Sequence, residues 1–238
     1  MKIFIKKIYN KIIFKLFNVI FYFYDFINRI LTLGLDFFLR KKVSNFLFYS
    51  SSTNLLDLAC GTSDSIYCFF NSFSSFKNII GIDLSKNMIF ISKIKFYKLL
   101  NFYNVYFKIF NFLKLKKTNI LFFSNITIMF GIRNILNITK SLLCFRSILI
   151  KKGRILILEF SLPSILIFRF FFIFYIRVVM PFFFSFFSYF SYLYLSRSIE
   201  SFCNENKFLF LYKKVNFSNC FLKKFAFGSI NFYLGVKF

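Results

Sequence analysis

The 238-residue chain has no histidine and no tryptophan, only two prolines, two alanines and seven glycines, and eight acidic residues against 33 lysines and arginines. Without histidine, the commonest zinc ligand and the usual base at neutral pH are both missing. Five cysteines are present (Cys60, Cys68, Cys144, Cys203 and Cys220), but none forms a C-x-x-C pair. No metal centre is expected, and the thiols read as reduced residues of a cytoplasmic protein. No segment repeats at a period of roughly 20 to 50 residues, which argues against a solenoid.

Phenylalanine fills 45 positions and, with Lys, Ile, Asn, Tyr and Leu, dominates the chain from end to end. So even a bias reads as drift in base composition rather than local adaptation. The formal net charge of +25 belongs to the same drift, because the lysines are scattered and form no block that would mark a nucleic-acid partner. The residues that the bias disfavours are therefore the informative ones. Four of the eight acids, Asp57, Asp64, Asp83 and Glu159, lie at the ends of apolar runs. Length and 58% apolar content support one globular domain with a sizeable core.

In the N-terminal stretch MKIFIKKIYNKIIFKLFNVIFYFYDFINRI, Lys7, Lys11 and Lys15 share one helical stripe, which suits a basic interfacial helix or a helix capping the domain. The apolar run from Leu16 to Tyr24 ends in Asp25 and Asn28 with no small-x-small cleavage site, so it does not read as a signal peptide. From Asn54 the pattern alternates. NLLDLA, NIIGID, NVYFKIF, SNITIMFG and GRILILEF read as strands, and DSIYCFFNSF, NMIFISKIKFYKLL and NITKSLLCFRSIL as helices. Strands alternating with helices imply an α/β fold whose parallel sheet is covered on both faces. Ligands of such sheets bind beyond the carboxyl ends of the strands, where the chain switches direction.

The stretch NLLDLACGTSD stands at the first of those ends. Ala59 and Gly61 allow a sharp turn and a close approach of a ligand to the main chain. Asp83 closes the next strand, where a carboxylate can accept hydrogen bonds from adjacent ribose hydroxyls. Together these features indicate an adenosine-containing cofactor. A dinucleotide site would use G-x-G-x-x-G to seat a pyrophosphate, whereas this loop reads A-C-G-T-S-D and starts its helix with an acid. Asp64 would repel a phosphate but is compatible with a ligand carrying positive charge, such as S-adenosylmethionine.

At this point the chain resembles the ubiquinone/menaquinone biosynthesis C-methyltransferases, a branch of the Rossmann-like class I S-adenosylmethionine-dependent enzymes. The resemblance covers nearly the whole chain. YDFINRILTLGLDFFLRKKV is similar to the signature Y-D-x-x-N-x-x-x-S-x-G, with Thr32 for serine. LLDLACGTSD is similar to the cofactor loop, with Ser63 for a glycine, and IIGIDLSKNM to the segment carrying the ribose acid. ITIMFGIRNI, KKGRILILEFSLP, YLSRSIESF and FGSINFYLGVKF follow in family order. The resemblance implies a helical cap over 1–50, a cofactor-binding core over 51–160, a helical lid insertion over 161–202 and closing strands over 203–238. It implies cofactor contacts from Asp57, Gly61, Thr62, Asp83, Asn111, Phe112 and Met129. Phe112 departs from the family's usual Ala, and Met129 stands where the family usually has a serine.

The implied reaction is methyl transfer to a ring carbon of a prenylated hydroquinone, either demethylmenaquinol or the benzoquinol precursor of ubiquinone. The tail F-G-x-x-x-x-Y-x-G-x-K tilts towards demethylmenaquinol. Catalysis is expected from Arg133, holding the forming quinolate oxygen, and from Tyr24 and Asp25, lining the acceptor pocket with Asn28. Without histidine, base catalysis falls to a carboxylate, a tyrosinate or a water. The plainer reading makes Arg133 a surface arginine and Asn134 a helix cap. The apolar segment from Ser164 to Leu195 is long enough for a membrane span, but Arg169, Arg177 and Pro181 interrupt it, and a lid with peripheral contact at the inner membrane fits better. Two readings from other classes are an integral membrane scaffold and an RNA methyltransferase; the latter lacks the expected N-P-P-[YF] motif, F-G-I-R-N standing in its place.

Overall fold

The short apolar runs come together in one seven-stranded sheet. A computed structural model describes residues 21–48, 54–69, 76–100, 102–111, 122–184 and 189–238. The strands are β1 (Asn54–Leu58), β2 (Asn78–Asp83), β3 (Val105–Ile109), β4 (Phe123–Met129), β5 (Leu149–Phe160), β6 (Phe217–Phe225) and β7 (Ile230–Lys237). Their order is β3-β2-β1-β4-β5-β7-β6, with β1 to β5 parallel and β7 antiparallel to both neighbours. Every residue of β1 and β4 is buried, as central parallel strands covered on both faces require. The chain winds outward from β1 to β3 and returns to β4, so the crevice between β1 and β4 is the switch point.

The helices are α1 (Tyr24–Leu31), α2 (Asp36–Ser44), α3 (Asp64–Cys68), α4 (Lys86–Lys95), α5 (Ile138–Ile148), α6 (Leu166–Phe174), α7 (Met180–Phe184), α8 (Tyr189–Ser201) and α9 (Glu205–Lys214). A π-helical turn, Tyr175–Val179, joins α6 to α7. Ser85, Asn137 and Asn204 cap α4, α5 and α9 by accepting backbone N–H bonds. One core packs the cap residues Ile27, Leu31, Leu39 and Val43 and the lid residues Ile176, Met180 and Ile199 with Leu156, Leu158 and Phe160 of β5. A second core, centred on Leu56, Ile126 and Ile128, takes Leu142 and Phe145 of α5 and Phe208 and Tyr212 of α9. Helices α1 and α2 thus share one packed cluster with the segment from α6 to α8.

Several sequence expectations shift. The helix expected to run to Leu100 ends at Lys95. Beyond it, the carbonyls of Phe96 and Leu99 accept amides in successive turns that lead back to β3. β5 begins at Leu149 rather than Gly153, with an irregularity in its pairing with β4 and Lys152 at a φ of +62°. The 203–238 region contains α9 before its two strands, because Phe208 and Tyr212, one helical turn apart, pack on Tyr233. The lysine stripe of the first 20 residues lies outside the described residues. Among the described residues, no helix is long and apolar enough to cross a membrane.

Gly235 of β7 faces α9, and a Cβ there would lie 2.5 Å from Cδ1 of Tyr212 and 3.1 Å from Cβ of Phe217. Tyr212 is fully buried and has nowhere to swing. Gly235→Ala is therefore expected to destabilise the protein by about 1–3 kcal/mol. The check is urea denaturation, where the midpoint falls at unchanged slope; an unchanged midpoint would show that Tyr212 can shift aside.

Candidate active site

The loop after β1 takes a left-handed backbone three times in five residues, with φ of +52° at Ala59, +56° at Gly61 and +68° at Ser63. Alanine and serine each pay roughly 1 kcal/mol for this. The turn is held by three backbone N–H bonds: Cys60 to the Ile82 carbonyl at 3.1 Å, Ser63 to the Cys60 carbonyl at 2.8 Å and Gly61 to Oδ2 of Asp83 at 3.0 Å. The Ser63 and Ser92 hydroxyls lie 2.8 Å apart, and Ser92 Oγ is 2.9 Å from the Gly61 carbonyl. Gly61 is required twice over, because a Cβ there would also come within 3.1 Å of the Tyr24 ring.

Asp83, the last residue of β2, accepts the Ser85 amide at 2.8 Å through its other oxygen. Burial raises its pKa, and the amides of Ser85, Gly61 and Leu84 oppose the rise. The carboxylate keeps acceptor capacity beyond these amides, open to a neighbouring hydroxyl. Asp57 is buried beneath the loop. Its Oδ1 accepts the Thr127 hydroxyl at 2.6 Å, while Oδ2 has no hydrogen-bond partner among the described residues. Burial pushes its pKa up to about 7, against the Thr127 hydrogen bond and the Arg40 charge. Such an acceptor is completed by a cationic or N–H-bearing group. Asn111 stands just past β3 and half-buried, Phe112 lies outside the described residues, and Met129 is buried in the core cluster that also holds Phe130.

Tyr24 opens α1 with its ring against Gly61. Burial raises its pKa, opposed by the neighbouring Asn28 amide and by the charges of Arg133 and Arg40, so its phenol stays protonated at neutral pH. Asp25 accepts the Thr62 hydroxyl through one oxygen and pairs with Lys95 Nζ at 3.1 Å through the other. Lys95 also pairs with Asp64, and Arg29 lies 3.5 Å from that carboxylate. The charge of Asp64 is thus met within the protein by Lys95 and Arg29.

Arg133 is not a surface arginine. It is buried on a 3-10 turn, Ile132–Asn134, and paired with Glu159 through Nη1. The same nitrogen donates to the Phe130 carbonyl at 2.9 Å, Nε lies 3.3 Å from Ser198 Oγ on α8, and the backbone N–H reaches Glu159 at 3.2 Å. Nor does Asn134 cap a helix: Asn137 does that, and Asn134 Oδ1 accepts the Tyr194 hydroxyl at 2.9 Å. Sequence reasoning missed Arg40, which is buried, bonded to Ser65 and 5.1 Å from the Phe130 ring. It also missed Lys95 and Ser92. Nothing local distinguishes Arg40 or Lys95 from the other cations of so basic a chain.

The model of the ubiE/COQ5 methyltransferase family matches residues 5–237. The ubiquinone/menaquinone biosynthesis C-methyltransferase UbiE of Geotalea daltonii is 32% identical over 221 residues, spanning 90% of this chain and 91% of that protein. The demethylmenaquinone methyltransferase of Alkalihalophilus pseudofirmus is 29% identical over 218 residues, with the same shares. Among solved structures, a SAM-dependent methyltransferase from Aquifex aeolicus superposes with a TM-score of 0.60 at 12% identity, covering 86% of this chain and 92% of that one. This likeness shows the Rossmann-like class I fold.

Asp57 makes stability depend on pH. Its folded pKa, about 7, lies above the ordinary value of 3.8, so its stabilising contribution is full below pH 4 and is lost as pH rises towards 7. Asp57→Asn, which keeps an acceptor for Thr127, is expected to gain stability over the parent at pH 8 relative to pH 4. The difference should be on the order of 4 kcal/mol, from 1.36 kcal/mol per pKa unit. Denaturant melts of the cofactor-free proteins at both pH values check it, and parallel pH profiles would show that Asp57 ionises freely.

Proposed function

Since the chain belongs to the ubiE/COQ5 methyltransferase family, we propose that it methylates a ring carbon of demethylmenaquinol, using S-adenosylmethionine. The residues present fit that cofactor. Asp83 offers paired acceptors at the end of β2 for ribose hydroxyls, and the unpartnered Oδ2 of Asp57 matches a cationic amine. Thr62, Gly61 and Asn111 border the same crevice. When bound, the cofactor supplies an electrophilic methyl group on a sulfonium.

The observation that carries the reading is the position of Tyr24, whose ring lies on the cofactor loop while its phenol sits in the field of Arg133. A protonated Tyr24 donates a hydrogen bond to the acceptor's ring oxygen and so favours the ionised quinolate, whose electron-rich neighbouring carbon attacks the methyl group. Arg133, tied to Glu159, Phe130 and Ser198 through Nη1 and Nε, stabilises that oxygen through Tyr24 or a water. With Tyr24 held protonated and Asp25 engaged by Thr62 and Lys95, the quinol proton goes to a water or to another carboxylate of the site.

The tail from Phe227 to Lys237 favours demethylmenaquinol over the ubiquinone precursor. Leu166, Phe170, Phe171, Phe174 and Phe182 leave an exposed apolar surface along α6 and α7. This surface suits covering a prenyl tail beside an anionic membrane, to which the basic chain is drawn.

Both quinols, reduced, are to be assayed with methyl-labelled S-adenosylmethionine; label entering only the benzoquinol would overturn the acceptor assignment. In single turnover, Tyr24→Phe is expected to slow methyl transfer at least about tenfold with cofactor affinity nearly unchanged, because without its hydrogen bond less of the bound quinol ionises. Asp83→Ala should show the opposite split, with affinity about tenfold weaker or worse. Flotation with anionic liposomes should fall as salt rises; salt-independent binding would leave the apolar face acting alone.

A further inference from the structure

Helix α1 meets the cofactor loop through the Tyr24 ring on Gly61 and the Asp25 contact with Thr62, and beside them stands Lys95, the last residue of α4. Its ammonium lies 3.1 Å from Oδ2 of Asp25 on α1 and pairs with Oδ1 of Asp64 at the start of α3. Asp25 also takes the Thr62 hydroxyl, next to Gly61. One cation therefore joins two carboxylates from separate elements on either side of the turn from Ala59 to Ser63. Lys95 and Asp25 keep 26% exposure of their side chains while Asp64 keeps 6%, so the cluster is shielded enough to couple and wet enough to open.

We propose that Lys95 is a positioning residue that pins the N-terminal cap closed over the cofactor loop and thereby sets how tightly the cofactor is held. The inference rests on the function proposed above. Without the ammonium, Asp25 and Asp64 retain Arg29 as the cation beside them, at 3.5 Å from Asp64. Their repulsion then pushes α1 off the loop, and the Tyr24 ring leaves Gly61. Helix α4 does not depend on this lysine for its seat, because Met88, Ile89, Ser92 and the following Phe96 bury it against the sheet.

The test compares the parent with Lys95→Met, which keeps the aliphatic stem, and Lys95→Arg, which keeps the charge. Hydrogen exchange is followed without cofactor, and S-adenosylhomocysteine binding is measured separately. In Lys95→Met the amides of 24–31 should exchange about tenfold faster while the melting midpoint moves by only about 3 °C, as losing part-exposed pairs implies. S-adenosylhomocysteine should dissociate about tenfold faster, and Lys95→Arg should recover most of both. High salt should speed cap exchange in the parent but not in Lys95→Met, a comparison that also probes the pin in the unmutated protein.

Equal cap exchange in the parent and Lys95→Met would overturn the pin. If the parent binds S-adenosylhomocysteine and Lys95→Met releases it no faster, the pin fails while the proposed function stands. If the parent binds none of it yet cap exchange depends on Lys95, the proposed function fails and the pin stands.

Discussion

The active-site end depends on the backbone turn between β1 and α3. Three left-handed residues bring the Gly61 amide onto Asp83 and leave the glycine bare under the Tyr24 ring. A side chain at that position would strain the backbone and press on the ring. Because the turn is this tight, β1 and β2 end side by side, the cap can lie flat on the loop, and Thr62 is presented to Asp25. Helix α1, the Asp83 carboxylate and the Tyr24 phenol all take their places from it.

Scarcity of acids gives those present distinct work. Asp25, Asp64, Glu159, Glu200 and Glu205 each pair with a lysine or arginine and join separate elements. Asp36, Asp57 and Asp83 form no ion pair among the described residues, and burial raises the pKa of each. Two of these three lie at the strand ends that face the crevice. A chain with so many cations can hold its structural carboxylates ionised cheaply. A carboxylate left unpaired within it is therefore more informative than it would be in a balanced protein.

The Arg133–Glu159 pair has the same double character. It joins the turn after β4 to β5, and through Ser198 to α8, so three separate elements are braced on one guanidinium. Breaking such a pair strands a buried charge, at about 3–5 kcal/mol. Truncating Arg133 thus disturbs the fold as well as any chemistry, whereas removing only the Tyr24 hydroxyl leaves its ring packed on the core cluster and separates the two more cleanly.

Sequence alone determined what depends on near neighbours: the strand and helix periods, the parallel sheet, the turn at Ala59 and Gly61, the acid at Asp83 and the family signatures. These are legible because apolar period and turn chemistry act over a few residues. It reached Arg133 and Tyr24 as candidates by resemblance but not their settings, one locked to Glu159 and the other held protonated. Tertiary structure decided which of 33 cations matter. Lys95 reaches Asp25 across 70 residues of chain and Arg40 reaches Ser65 across 25. Such pairs leave no periodic trace, because charge attraction depends on distance in space, and that distance exists only once the sheet has brought its carboxyl ends together.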